Sequence, residues 1–154
     1  MAGNDTRLIK AAFAFVRDAE GRILLVCNNY GHQGVRWGVP GGTMEEGEAP
    51  LDCVIREARE EVGLELDIGR DLGVIERHAP ERNFQLYAHF FEAAIKSGQP
   101  RIRHDDDHVI DWRWAARGEV ASFPGVLMGR WRMLEYLDRP ETFPQHIVLR
   151  QGEE

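Results

Sequence analysis

Two cysteines are all that the 154 residues contain. Cys27 and Cys53 both fall inside periodic apolar segments, which argues against a disulfide framework and fits a reduced, cytoplasmic protein. Nowhere does the chain approach the roughly 20 consecutive apolar residues of a membrane span. Met1-Ala2-Gly3-Asn4-Asp5 has no basic region leading into an apolar stretch, so no signal peptide is expected. Positive charge is in the minority: 26 acidic side chains against 19 basic ones leave a formal net charge of −7. A protein that grips long nucleic acid through its phosphates carries a basic surface, so duplex DNA and RNA are not expected partners. An anionic substrate would need its charge neutralised locally, by metal ions held on acidic side chains. The six histidines lack a metal-ligand spacing such as H-x-x-x-H and receive no metal role. No repeat, low-complexity tract or Pro/Gly/Ser linker divides the chain. The expectation is one domain over residues 1–154, with residues 1–6 loose and a tail from 139.

What is present is a globular mixture, 43% hydrophobic and 29% charged, long enough to bury a substantial core. Leu8 to Val16 and Ile23 to Cys27 read as strands joined by the turn chemistry of Asp18-Ala19-Glu20-Gly21. Asn28 to Val35 reads as a loop and Trp37-Gly38-Val39-Pro40-Gly41-Gly42 as a rigid glycine-rich turn. Further strands are expected at Leu64–Ile68, Asp71–Arg77, Asn83–Ala94 and Val109–Trp114, a turn of helix at Arg117–Ala121, and a helix over Val126–Leu137. The tail from Arg139 holds two prolines and reads as irregular. Strands on both sides of a central helix, with a terminal helix, point to a mixed sheet sandwiched between helices, an α/β architecture.

That central helix carries the chemistry. From Ala49 to Val62 the apolar residues Leu51, Val54, Ile55, Ala58 and Val62 recur at i+3 and i+4. Pro50 suits the first turn and Gly63 the C-terminal cap. Glu57, Glu60 and Glu61 fall within roughly a 100° arc beside the apolar face. Glu57 and Glu61 repel at i+4 spacing, and a divalent cation turns that repulsion into attraction. Carboxylates without His or Cys make a hard oxygen site, suited to Mg²⁺ with Mn²⁺ as a substitute. A charge run of this kind is ordinarily a solvated face. The upstream glycines argue for more, because they permit close backbone approach next to the helix start.

Gly42, five residues, Glu48, seven residues, then Arg56-Glu57-Ala58-Arg59-Glu60-Glu61-Val62-Gly63-Leu64 resembles the complete Nudix box, G-x5-E-x7-R-E-U-x-E-E-x-G-U, in which U is aliphatic. Every fixed position matches, with Ala58 small for its aliphatic place. The lead-in Trp37 to Gly42 and the late strand Val109 to Trp114 are similar to segments common in that family. The resemblance implies an α/β/α sandwich and hydrolysis of a nucleoside diphosphate linked to another moiety. It implies that Glu57, Glu60 and Glu61 bind metal, that the Gly41 carbonyl joins the metal shell, and that Arg56 and Glu48 orient the helix and its carboxylates by salt bridging.

Several readings stay open. The proton-accepting carboxylate lies either in the box or on a later loop. Asp105-Asp106-Asp107 is either a solvated acidic loop or the source of an extra carboxylate, Asp107 being the candidate. Arg36 is a candidate for substrate binding, because Arg suits phosphate, and Tyr30, Arg77, Arg82 and Phe84 lie in segments that border such a site. Trp37 reads as packing and Cys53 as a small packing residue. Pro80, sixteen residues past Leu64, resembles a proline associated with ADP-ribose pyrophosphatases. ADP-ribose or another nucleotide sugar therefore ranks ahead of a nucleoside triphosphate. A non-catalytic binding module is disfavoured by the intact glutamates, and messenger-RNA ends by the net charge. The partner is thus a small nucleotide-derived molecule. Ile147, Val148 and Leu149 in the tail either fold back on the domain or cover a second copy in a homodimer.

Overall fold

The computed structural model describes residues 5–103 and 108–150. Eight strands are formed: β1 Arg7–Val16, β2 Ile23–Asn29, β3 Val35–Gly38, β4 Gly41–Thr43, β5 Glu65–Ala79, β6 Phe84–Ser97, β7 Val109–Ala115 and β8 Gln145–Arg150. The helices are α1 Pro50–Val62, α2 Arg117–Ala121 and α3 Arg130–Asp138, with short 3-10 turns at Gly31–Gln33, Pro80–Arg82 and Pro140–Thr142.

The strands make a five-stranded sheet in the order β4-β1-β6-β5-β8 and a three-stranded sheet in the order β3-β2-β7. The larger sheet is mixed. β1 runs parallel to β6 and β8 parallel to β5, while β4 and β5 pair antiparallel to β1 and β6. Alternation with period two sends successive side chains to opposite faces, and the sequence uses both. Ala12, Ala14 and Val16 of β1 join Leu24 and Val26 of β2 in a cluster with Cys53, Val54, Ala58 and Val62 of α1. Phe15, Ile23 and Leu25 join a second cluster with Val120 of α2 and Met133 and Tyr136 of α3. One helix therefore covers one face and two cover the other, the expected α/β/α sandwich. Alanines dominate the β1 face beneath α1, which brings the helix close to the sheet.

Several local expectations are corrected. The stretch Trp37 to Gly42 is split between β3 and β4, because Cys27 pairs with Trp37 and Phe13 with Gly41 in the sheets. The two strands expected at Leu64–Ile68 and Asp71–Arg77 are one, β5, whose register against β6 shifts between Ile68 and Asp71 and again before Gly73. An irregularity of this kind absorbs extra residues without ending the strand. The helix expected from Val126 begins only at Arg130. Gly129 adopts a left-handed φ of 72°, and the backbone on either side of Leu127 bonds to Trp37, whose N–H donates to Val126 O at 2.8 Å and whose carbonyl accepts from Met128 N–H at 2.9 Å.

The tail is the largest correction. Residues 145–150 form β8, parallel to β5, with Ile147 and Leu149 packed on the α2–α3 core. They fold back on this chain. Arg132 of α3 anchors that edge from inside. It is fully buried, donates to Gln145 Oε1 at 2.8 Å and to the Leu72 carbonyl at 3.4 Å, and lies 4.5 Å over the Phe143 ring. Burial pushes its pKa down.

Gly73 is where β5 and β8 press closest. Its φ is +94°, and a Cβ there would stand 1.9 Å from the Gln145 carbonyl oxygen. Gly73→Ala is expected to destabilise the protein by at least about 1–3 kcal/mol, since strained dihedrals and a backbone displacement combine. An unchanged urea midpoint for this variant would show that the β8 contact is not part of the stable core.

Candidate active site

Helix α1 begins at Pro50, whose missing N–H costs nothing there. It ends at Gly63, left-handed with φ 68°, whose N–H donates to Arg59 O at 3.1 Å while Leu64 N–H donates to Ala58 O at 3.2 Å. With Cys53, Val54, Ala58 and Val62 buried against the sheet, the 100° step per residue turns Glu57, Glu60 and Glu61 toward the β4 edge. All three line one cavity.

Two glycines allow that approach. Gly41 has a φ of +147°, and a Cβ on it would fall 2.2 Å from the Ala12 carbonyl oxygen. Its N–H instead donates to Glu61 Oε1 at 2.9 Å, and Glu61 is almost fully buried. A Cβ on Gly42 would stand 2.7 Å from Glu57 Oε1. Side chains at either position would separate the strand from the helix carboxylates.

Arg56 organises the acidic cluster. Its Nε and one terminal nitrogen grip Glu48 at 2.8 and 3.0 Å, a bidentate pair. The other terminal nitrogen reaches Glu57 Oε1 at 3.2 Å and Glu60 Oε2 at 3.0 Å, and the Thr43 carbonyl accepts at 3.3 Å. Glu48 also accepts from Glu45 N–H at 3.0 Å, tying the loop before α1 to the helix. The bond to Arg56 holds the Glu48 carboxyl down at about 2, and the same contacts raise the Arg56 pKa. Glu57 behaves oppositely. Burial pushes its pKa up, Glu60 and Glu48 add to the rise, and Arg56 only partly opposes it. Burial first, then Glu48 and Glu57, pushes the Cys53 thiol up to about 12, in keeping with a packing role.

This donor set fits a hard divalent cation. It offers three carboxylates beside glycine backbone, and Glu57 is a half-buried carboxylate whose contact with Arg56 does not offset its burial. Among the described residues no three His, Cys, Asp or Glu side chains stand gathered as a ligand group. Glu57 and Glu60 are turned to Arg56 and Glu61 to Gly41 N–H, so ligation requires side-chain rotation.

The cavity is about 660 Å³, within the range of small-molecule sites. The acidic cluster closes one end. The floor is apolar, built from Phe13, Ile75, Leu86 and Phe90, and Tyr30, Met128 and Trp131 stand among its walls. Tyr30 and Arg77, read from the sequence as bordering residues, both line it, while Arg82 and Phe84 do not. Arg36 lies outside the lining, its guanidinium 5.4 Å from the Tyr30 ring centroid. Trp37 packs on Phe123 at 5.3 Å between centroids, with Arg113 at 5.2 Å, as expected of a packing residue. Asp105, Asp106 and Asp107 lie outside the described residues. Sequence reasoning missed Trp131, taken as helix bulk but 37% exposed at the cavity, and Asn28, His108 and Met128. Nothing in their local sequence pattern singles them out, since the cavity joins segments far apart in the chain.

The family model described as the NUDIX domain matches residues 7–137. The m7GpppN-mRNA hydrolase of Saccharomyces cerevisiae is 32% identical over 92 residues, 59% of this chain and 9% of that protein. The human diphosphoinositol polyphosphate phosphohydrolase 3-beta is 37% identical over 79 residues, 51% of this chain and 46% of that one. The chain thus spans about a tenth and just under half of the lengths of these two relatives. The crystal structure of the MutT protein from Methanosarcina mazei Go1 superposes with a TM-score of 0.72 at 20% identity, covering 89% of this chain and 97% of the other. That likeness speaks for the fold.

A pH dependence follows from Glu48. Its folded pKa, about 2, lies below the ordinary 4.5, so the stability it contributes is present above pH 4.5 and is lost as pH falls through 2. Glu48→Gln is therefore expected to melt below wild type at neutral pH, with the gap closing on acidification. Melting curves taken from pH 7 downward check this; a gap independent of pH would show that the Arg56–Glu48 pair does not carry the effect.

Proposed function

The chain belongs to the Nudix family, and from that membership we propose that it is a metal-dependent pyrophosphohydrolase acting on the diphosphate linkage of a small nucleotide derivative. The observation that carries this reading is the convergence of Glu57, Glu60 and Glu61 at one end of a ligand-sized cavity, beside Gly41 and Gly42. An acidic cluster alone is commonplace; one sealed against strand backbone at the mouth of an apolar cavity is a place where a cation and a diphosphate meet.

In this mechanism Glu57, Glu60 and Glu61 would hold Mg²⁺, or Mn²⁺ in its place, and the Gly41 carbonyl would be a further oxygen donor. When bound, the metal supplies the positive charge that offsets the diphosphate oxygens and the charge developing between them. Arg56, fastened by Glu48, orients the carboxylates of Glu57 and Glu60. A carboxylate oxygen of the cluster accepts the proton of the attacking water. The apolar floor excludes bulk water and receives the organic part of the substrate. Pro80, which opens the 3-10 turn between β5 and β6, keeps ADP-ribose or another nucleoside diphosphate sugar ahead of nucleoside triphosphates as the substrate.

The test is turnover of ADP-ribose, nucleotide sugars, diadenosine polyphosphates and nucleoside triphosphates, with products resolved by chromatography. Activity is expected to vanish with EDTA, to return with Mg²⁺, and to fall by more than about 100-fold in Glu60→Gln. Turnover within a fewfold of wild type in that variant would remove the acidic cluster from the chemistry.

A further inference from the structure

Arg77 differs from every other side chain lining the cavity. It stands on β5 opposite Leu86 of β6 and Leu149 of β8, is half-buried, and faces the cavity with Ile75 two residues before it. Its neighbour Glu76 offers no compensation, because alternation sends that carboxylate to the other face, where it engages His146 and His78. Among the described residues Arg77 makes no hydrogen bond or ion pair. Its guanidinium thus borders the apolar floor with its donors uncommitted to any carboxylate among the described residues.

Its position relative to the acidic cluster follows from the register. Gly41 lies opposite Phe13 of β1, and Arg77 lies opposite Leu86, which is opposite Ile9 of β1. The two points are three strands apart across the sheet and four residues apart along it. With strands ~4.8 Å apart and ~3.3 Å per residue, the backbones of Gly41 and Arg77 are about 20 Å apart. Arg77 and the carboxylates therefore address opposite ends of whatever crosses the floor.

We propose that Arg77 is a specificity-determining residue that donates a forked pair of hydrogen bonds to two acceptor atoms at the end of the substrate remote from the diphosphate. The location of the diphosphate in this inference rests on the hydrolase reading above. Guanidinium is donor-only, planar and suited to two parallel acceptors. It matches the O6 and N7 of guanine, or the oxygens of a terminal phosphate or carboxylate. It disfavours an edge that presents an amino group, as adenine does at N6.

Binding of GMP and AMP by calorimetry is the measurement, together with kcat/KM on GTP, ATP, ADP-ribose and ADP-ribose 2′-phosphate. Wild type and Arg77→Ala are compared. Wild type is expected to prefer the acceptor-bearing member of a pair, either guanosine over adenosine or the 2′-phosphate over ADP-ribose. Arg77→Ala is expected to lower affinity and kcat/KM for that member by about 10- to 100-fold, while the other member changes little and the melting temperature holds. A preference within the GMP/AMP and GTP/ATP pairs assigns the acceptors to the guanine edge; a preference within the ADP-ribose pair assigns them to a terminal anion. Equal weakening of all ligands, or of none, overturns the proposal. If the wild type with Mg²⁺ turns over no member of the substrate panel while Arg77→Ala still erases GMP-over-AMP binding, the hydrolase reading falls and the role of Arg77 stands.

Discussion

The grip of Arg56 on Glu48 is the contact from which the acidic site is arranged. One guanidinium, held bidentate by Glu48, has its remaining donors committed to Glu57, Glu60 and the Thr43 carbonyl. It ties α1 to the loop before the helix and to β4. Without it, three helix carboxylates within one turn would repel each other and swing outward. A fork with five fixed donors can serve several acceptors at once in a way that an ammonium cannot.

That arrangement depends in turn on packing. The carboxylates reach the cavity only because α1 lies close on the sheet, which the alanines of β1 and Ala58 of the helix allow, and because β4 carries glycine where any Cβ would meet backbone or Glu57. The small residue at the aliphatic place of the Nudix pattern and the paired glycines thus answer one steric demand. The opposite face carries the larger aromatics, and Phe13, Phe15 and Phe90 are stacked or tilted against one another at 5.4 Å between centroids. One strand, β1, therefore separates a tight face that packs against α1 from a roomier face that lines the cavity.

Legibility in the sequence followed the range of the interactions. The helix Pro50–Val62, its capping glycine and the grouping of Glu57, Glu60 and Glu61 are set by neighbours within a few positions, so periodicity finds them. So are β1, β2, β6 and β7, whose apolar alternation is strong. β8 escaped because its residues 145–150 follow two prolines and gain strand structure only by pairing with β5, some seventy positions earlier. β3 and β4 escaped because glycine-rich segments carry almost no side-chain pattern, and their extended form is imposed by β2 and β1. The late start of α3 is of the same kind, since Trp37 captures the backbone around Leu127.

The site divides along the same line. The amino-acid sequence by itself determined the family pattern, the acidic helix and the chemistry that its oxygen donors favour, because spacing along a helix is geometry that a sequence contains. Only the tertiary structure decided what shares a cavity with those carboxylates: apolar residues of β1, β5 and β6, Tyr30, Met128 and Trp131, and Arg77 of β5. These residues are brought together by strand order and register, and register is fixed by pairing between segments far apart in the chain. It also left Arg36, equally plausible from its residue type, against the Tyr30 ring and outside the cavity lining.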